Sequence, residues 1–375
     1  MGTNVRIVEV EFYGLRSRLP SPARFSWGEA WERNVGLVRV VTDEGLEGWG
    51  ETSVTFPLWS LEERALTVRQ GLRPLVLGVE WEEPTELTER LHRRLSPLGH
   101  LWSMVAVRSA VAAFEVALWD IVGQRAGRPL WALWGGSWQR VPLYAVGFSG
   151  DVQTIARQAA EAIERGFRAV KVRVGFDDEA DEQLVRTVRT AIGPEATLLV
   201  DANMAYDRER ARRMAERLAP YRLGWLEEPL VRTDVAGMTA LRRLGLVPLA
   251  AGENAYTLEE AVALLEAEAV DVLMPDIARI GGLTAARAAC NAARSCGLPY
   301  SPHQFGSYVG LAAALHLCAA EPGANWLLMD IAPWELREAV VESEPLVEGG
   351  WGLPPRSPGL GVRVNLARLE QFRVV

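Results

Sequence analysis

From Val141 onward one pattern limits what the chain can fold into. A short apolar run ends in a polar side chain, a helical stretch follows, and a Gly or Pro turn closes the unit about every 25 residues. The apolar runs are Val141–Gly147, Ala169–Val174, Thr197–Asn203, Gly224–Pro229, Pro248–Asn254, Asp271–Ile277, Tyr300–Phe305 and Trp326–Ile331. The helical stretches between them include Asp151–Arg165, Glu179–Ile192, Arg208–Ala219, Leu258–Glu268 and Thr284–Cys296. Strands alternating with helices in this way predict an α/β barrel rather than an open doubly wound sheet. No Gly-rich phosphate loop follows the first run, which argues against a dinucleotide fold.

The chain before this repeat has a different texture. Val5–Phe12, Gly36–Thr42 and Gly48–Thr52 read as strands, the last two around the turn Asp43-Glu44-Gly45. Leu15–Arg33 has prolines and no period, and reads as a long loop of functional type. Leu61–Gly127 reads as helices, most clearly Val105–Gly127. The Gly- and Pro-rich tail from Val340 is too long for a frayed end and is expected to pack back on the N-terminal part.

Composition narrows the class. Net charge is −8 with no basic patch, so nucleic acid and anionic membranes are not expected partners. The start Met1–Arg6 lacks a signal-peptide core, and no apolar run reaches membrane-spanning length. The three cysteines, Cys290, Cys296 and Cys318, have no metal spacing and no disulfide framework. These features predict a cytoplasmic protein.

Reading the polar ends of the strands gives the candidate chemistry. Lys171 is the only lysine, and every other residue of the 40 in the Lys+Arg total is arginine. Arginine serves wherever a permanent charge suffices, so a surviving lysine inside an apolar strand suggests chemistry that needs an amine. Arg173, two residues on, faces the same side of the strand. Asp201, Glu227 and Glu253 follow at successive intervals of 26 residues, one barrel unit each. A single strand-end carboxylate more often caps a helix or pairs with an arginine. Three converging ones need a cation to ionise together, and an all-oxygen set suits Mg²⁺, with Mn²⁺ possible. His303 lies one unit after Asp276, where the carboxylate can fix one imidazole nitrogen and leave the other to take or give a proton. His92, His100 and His316 read as structural.

These parts suit removal of a proton beside a carboxylate, with a divalent ion stabilising the enediolate. Return of a proton gives epimerisation, and protonation of a departing β-hydroxyl gives dehydration.

The same residues resemble the enolase superfamily, in its mandelate racemase-like group. The matching motifs are Gly45–Glu51, Ala117–Gly123, Lys171–Arg173, Asp201–Asn203, Glu227–Pro229, Gly252–Asn254, Pro275–Gly282, His303 and Pro358–Gly361. The resemblance implies a modified (β/α)7β TIM-type barrel with an N-terminal α+β capping domain. Residues 1–127 would form the cap, 128–339 the barrel, and 340–375 the segment returning to the cap. It further implies Mg²⁺ held at Asp201, Glu227 and Glu253, and a small carboxylate substrate. It also implies a homo-oligomer, dimer or octamer. The Leu15–Arg33 segment resembles the family's substrate-covering loop, with Thr52–Ser60 as its companion, which makes Phe25 and Trp27 candidate substrate contacts along with Asn203.

Two positions depart from the family. Its pattern is often Lys-x-Lys with the second lysine as base, and here Arg173, a poor base, stands there. On the eighth strand Leu328 takes the place of a glutamate that donates to the substrate carboxylate, with Asp330 as a substitute. The expected reaction is dehydration of a sugar acid, with Lys171, Arg173, Asp276 and His303 as the catalytic group. The alternative is a racemase or epimerase of a 2-hydroxy acid or N-acylated amino acid, and a non-catalytic relative is the third reading.

Overall fold

The computed structural model describes residues 5–101 and 103–375, so Met1–Asn4, read above, and Trp102 lie outside it. The N-terminal part is a sheet of antiparallel strands β1 (Val5–Phe25), β2 (Gly28–Thr42), β3 (Glu47–Thr52) and β4 (Glu80–Trp81), in the order β3-β2-β1-β4. The helix Met104–Ala126 packs on it, burying Phe114, Ala117, Leu118 and Ile121 against Phe12, Val38 and Val40. Gly48 and Gly50 make this approach possible. A Cβ at either would sit 2.0 or 1.9 Å from the carbonyl oxygens of Ala117 and Ala113.

The segment expected to be a loop, Leu15–Arg33, is instead the distal half of a long β1–β2 hairpin, paired out to Phe25 opposite Gly28. A register shift between Arg18 and Ala23 accommodates Pro20 and Pro22, which cannot donate to a ladder. That bulge breaks the two-residue period by which a strand is recognised.

The barrel follows in chain order: β5 (Val141–Val146), β6 (Ala169–Arg173), β7 (Thr197–Asp201), β8 (Trp225–Glu227), β9 (Leu249–Ala251), β10 (Val272–Leu273) and β11 (Leu327–Asp330). Neighbours pair in parallel, and β11 pairs with β5 to close the ring. The expected strand at Tyr300–Phe305 is only a series of bridges, Tyr300 to Leu273 and Ala324, and His303 to Asp276. Pro299 and Pro302 have no N–H and cannot sustain a ladder there. The helices Val152–Glu164, Asp178–Ile192, Arg208–Leu218, Leu258–Glu266 and Leu283–Ser295 alternate with the strands, as the period predicted, joined by Val235–Arg242 and Tyr308–Ala320.

Side-chain parity carries the floor of the barrel up to its mouth. Tyr144, Ala169, Leu199, Trp225, Ala250, Val272 and Leu328 form one buried cluster inside the ring. Two residues on, the same faces carry Lys171, Asp201, Glu227 and Asp330.

Buried carboxylates tie cap to barrel. Glu51 on β3 accepts from the backbone N–H and hydroxyl of Ser307 at the start of the helix Tyr308–Ala320 (2.9 and 2.7 Å). Glu115 accepts from the Thr284 N–H at 3.1 Å. Asp120 takes the N–H groups of Trp49 (3.1 Å) and of Leu360 (2.8 Å) in the tail. The chain end lies on the hairpin, with Val374 N–H donating to Gly14 at 2.8 Å. Among the described residues no helix is long and apolar enough to cross a membrane.

Candidate active site

Register brings the strand-end groups together. Arg173 lies opposite Asp201, and Asp201 opposite Glu227. Glu253 stands two residues past the end of β9. The ends of these strands are shaped by unusual backbone: Asn203, Met204 and Glu228 all take positive φ (45°, 61° and 38°), which turns the chain sharply just beyond the carboxylates.

Lys171 is 2% exposed, and its Nζ sits 3.1 Å from Asp201 Oδ2 and 2.5 Å from Glu227 Oε1. Burial works against the ammonium, but Asp201 and Glu227 outweigh it and push its pKa well above the ordinary lysine range. Trp225 Nε1 donates to the other oxygen of Glu227 at 2.9 Å. Burial, reinforced by Asp201 and Glu253, raises the Glu227 pKa well above a normal carboxylate despite Lys171. Glu253 goes the other way: burial is overcome by His303 and Arg279, which hold it ionised. Glu228 beside it is pushed up to about 8 by burial and by the Glu253 charge.

His303 and Asp276 meet as expected. Nδ1 lies 2.6 Å from Asp276 Oδ2, and Nε2 lies 3.1 Å from Glu253 Oε2, so the imidazole spans from its orienting carboxylate to the carboxylate cluster. Arg279, which the sequence reading passed over, braces both. Its Nη1 reaches Glu253 Oε1 (3.1 Å) and Asn254 Oδ1 (2.9 Å), and its Nε lies 3.5 Å from Asp276 Oδ2. The available signal was its place three residues after Asp276, one helical turn on.

Other expected residues sit differently. Arg173 Nη1 donates to the Arg24 carbonyl at 3.2 Å, and its guanidinium lies 3.8 Å from the Phe25 ring. Phe25 is buried and packs on Phe56 (4.9 Å). Trp27 stacks on Phe25 at 4.5 Å and is 57% exposed. Asp330, expected as a substrate contact in place of the family's glutamate, is ion-paired with Arg33 of β2. Arg33 itself is 1% exposed and lies 4.0 Å from both the Phe305 and Trp334 rings. Beside Lys171 and Arg173 a cavity of about 370 Å³ opens under Arg24, walled by Val146, Phe148 and Phe176.

The donor chemistry fits a hard divalent ion. Asp201, Glu227 and Glu253 offer only oxygen, the thiols Cys290, Cys296 and Cys318 lie elsewhere in the chain, and Asn203 Oδ1 is buried without a partner at the same strand end. Among the described residues no three metal-binding side chains are already drawn into a cluster. Lys171 spans two of the carboxylates, while Arg279 and His303 engage the third.

Comparison with known proteins places this geometry. Residues 7–135 match the model of the mandelate racemase / muconate lactonizing enzyme N-terminal domain, and residues 154–368 that of the enolase C-terminal domain-like family. The chain is 30% identical to a D-galactarolactone cycloisomerase of Agrobacterium fabrum, covering 99% of both chains. It is 27% identical to an arabinonate dehydratase of Saccharolobus solfataricus, covering 89% of each. A solved racemase of Streptomyces coelicolor A3(2) with bound magnesium superposes with a TM-score of 0.90 at 29% identity, covering 98% of this chain and 100% of the other. The chain belongs to the mandelate racemase/muconate lactonizing enzyme group of the enolase superfamily.

Proposed function

We propose that the protein removes the proton beside the carboxylate of a sugar acid and expels a β-hydroxyl, giving a 2-keto-3-deoxy acid and water. The observation that carries this reading is the His303–Asp276 pair at 2.6 Å, facing the carboxylate cluster, while Lys171 is committed to Asp201 and Glu227. With arginine at position 173, one side of the mouth has no ready base. A single histidine can serve both halves of a syn elimination.

Asp201, Glu227 and Glu253 would hold Mg²⁺, or Mn²⁺ in its place. Bound there, the ion would supply the positive charge that makes the α-proton acidic and the enediolate accessible. His303 Nε2 takes the α-proton, and the C–H electron pair moves into the substrate carboxylate. Asp276 stays ionised against Nδ1 and balances the imidazolium. The same imidazolium then protonates the β-hydroxyl as the C–O bond breaks, and the resulting enol tautomerises to the ketone. Lys171 keeps the cluster neutral enough to accept another anion. A dehydratase and a cycloisomerase among the relatives support a reaction on sugar acids or their lactones.

Purified protein with Mg²⁺ is offered a panel of aldonic and aldaric acids, and 2-keto product is read by carbonyl derivatisation. Product is expected, lost on chelation and restored by Mg²⁺ or Mn²⁺. Deuterium from solvent entering recovered substrate with no dehydrated product would instead establish the racemase or epimerase reading. A homo-oligomeric state, dimer or octamer, is part of the same proposal and is read by light scattering.

A further inference from the structure

Arg173 holds chemistry that the proposed reaction leaves unused. It stands on the inward row above Lys171, yet a guanidinium does not give up its proton. Among the described residues its one hydrogen bond runs to the Arg24 carbonyl at 3.2 Å, and no carboxylate forms an ion pair with it. Its Nε is buried without a partner. Buried N–H groups are rarely left unpaired, so this edge calls for an acceptor.

Nη1 and the face of the guanidinium are taken by the tip of the β1–β2 hairpin. The Phe25 ring lies 3.8 Å from the guanidinium, and Phe305 lies 5.4 Å away on the barrel side. Ser26 at the tip donates to the Asn203 carbonyl at 3.3 Å. Gly175, with φ of +103°, gives the tip room: a Cβ there would lie 3.2 Å from Ser26 Cβ and 2.6 Å from Ala205 Cβ. The hairpin is thus seated on the ends of β6 and β7, against groups of the candidate site.

We propose that Arg173 is a two-sided clamp. Nη1 and the stacked face hold the hairpin tip through the Arg24 carbonyl and the Phe25 ring, and the Nε edge binds a carboxylate of the substrate. Substrate capture and lid closure then share one side chain. A lysine presents a single nitrogen and cannot donate from two, which accounts for arginine at this position. Naming the anion as a substrate carboxylate rests on the reaction proposed above.

The test is limited trypsin digestion of the full chain with Mg²⁺, with and without malonate as a non-reacting carboxylate. The fragment beginning at Phe25 reports cleavage after Arg24, an exposed residue whose peptide bond is reachable only when the hairpin opens. Wild type is expected to be nicked slowly, and more slowly with malonate. Losing a stacked, charge-assisted contact corresponds to about tenfold, so Arg173→Met should be nicked about tenfold faster and gain no protection from malonate. Its melting temperature should match wild type. Nicking of Arg173→Met at the wild-type rate, or equal protection by malonate, overturns the proposal. Should that variant fail to fold, Phe25→Leu must show faster nicking with malonate protection retained, and wild-type nicking there overturns it as well. These readouts need no turnover, so an absence of keto product from wild type would refute the reaction while leaving the clamp to stand or fall separately.

Discussion

Removing Arg33 should cost the protein several degrees of stability, and the structure says why. The side chain is 1% exposed, pairs with Asp330 across the cap–barrel seam, donates from Nη2 to the Phe305 carbonyl at 3.1 Å, and is sandwiched by Phe305 and Trp334. Burial lowers its pKa and the Asp330 charge opposes that; for Asp330, burial is overcome by Arg33 and Arg337, which hold it below its ordinary range. Arg33→Met keeps the apolar stem and strands a buried carboxylate. Breaking one side of such a pair costs about 3–5 kcal/mol. Arg337 still faces Asp330, which favours the low end, about 3 kcal/mol. With an unfolding entropy of about 2.1 cal/mol/K per residue over 375 residues, that is a drop of about 4 °C in Tm. Adding Asp330→Asn removes the stranded charge and should return about half of the loss. Thermal melts of wild type, the single variant and the double variant by circular dichroism decide it. A single variant within 1 °C of wild type (about the loss of one weak contact), or a double variant less stable than the single, would refute the reasoning.

Three further outcomes follow from the same geometry. Asp276→Asn keeps the shape but not the charge that steadies His303, so kcat should fall about 10³- to 10⁴-fold with Mg²⁺ affinity unchanged by calorimetry; near-normal kcat would remove the dyad from the mechanism. Lys171→Arg keeps the charge but forces a larger planar head between Asp201 and Glu227, and activity should fall more than about 100-fold; wild-type turnover would refute the argument that only a compact ammonium fits there. Burial raises the Glu115 pKa to about 7 against the hydrogen bonds from Thr284 and Trp119. Its folded pKa exceeds the unfolded 4.5, so its favourable contribution is present below that value and lost as pH rises through about 7. Wild-type Tm should therefore decline as pH rises from the unfolded value of 4.5 to about 7 more steeply than that of Glu115→Gln, and parallel slopes would count against the assignment.

The barrel was legible because its period is local: each apolar run, strand-end polar residue and helix falls within a single unit. The carboxylates were legible for the same reason, since equal spacing puts each at the C-terminal end of a neighbouring strand, although only Asp201 and Glu227 share a register level and Glu253 lies three residues past Ala250, the partner of Glu227. Where prolines interrupt a ladder, the pattern fails. Pro20 and Pro22 disguised a hairpin as a loop, and Pro299 and Pro302 reduced an expected strand to bridges. The Arg33–Asp330 pair had no signal at all, because its partners are 297 residues apart and belong to different domains. Long-range ion pairs depend on how two finished surfaces meet, which no local periodicity encodes. Arg279 lies between these cases: its spacing from Asp276 was visible, but its reach to Glu253 required the neighbouring strand end.

The lone lysine shows how far an anomaly of composition can carry. Its uniqueness suggested chemistry that needs an amine, and the structure shows what surrounds that amine. In the folded chain the ammonium lies between two carboxylates and 5.5 Å from the Tyr144 ring, deep in the barrel. A compact point charge fits that space, whereas a guanidinium with its planar fork of donors does not. Two residues higher, where Nη1 meets the hairpin tip and Nε is left without a partner, the planar fork is the better shape. Lysine at 171 and arginine at 173 are therefore kept distinct by geometry as much as by basicity, and in the proposed reaction the proton transfer falls to the imidazole of His303, whose Nδ1 lies 2.6 Å from Asp276 Oδ2.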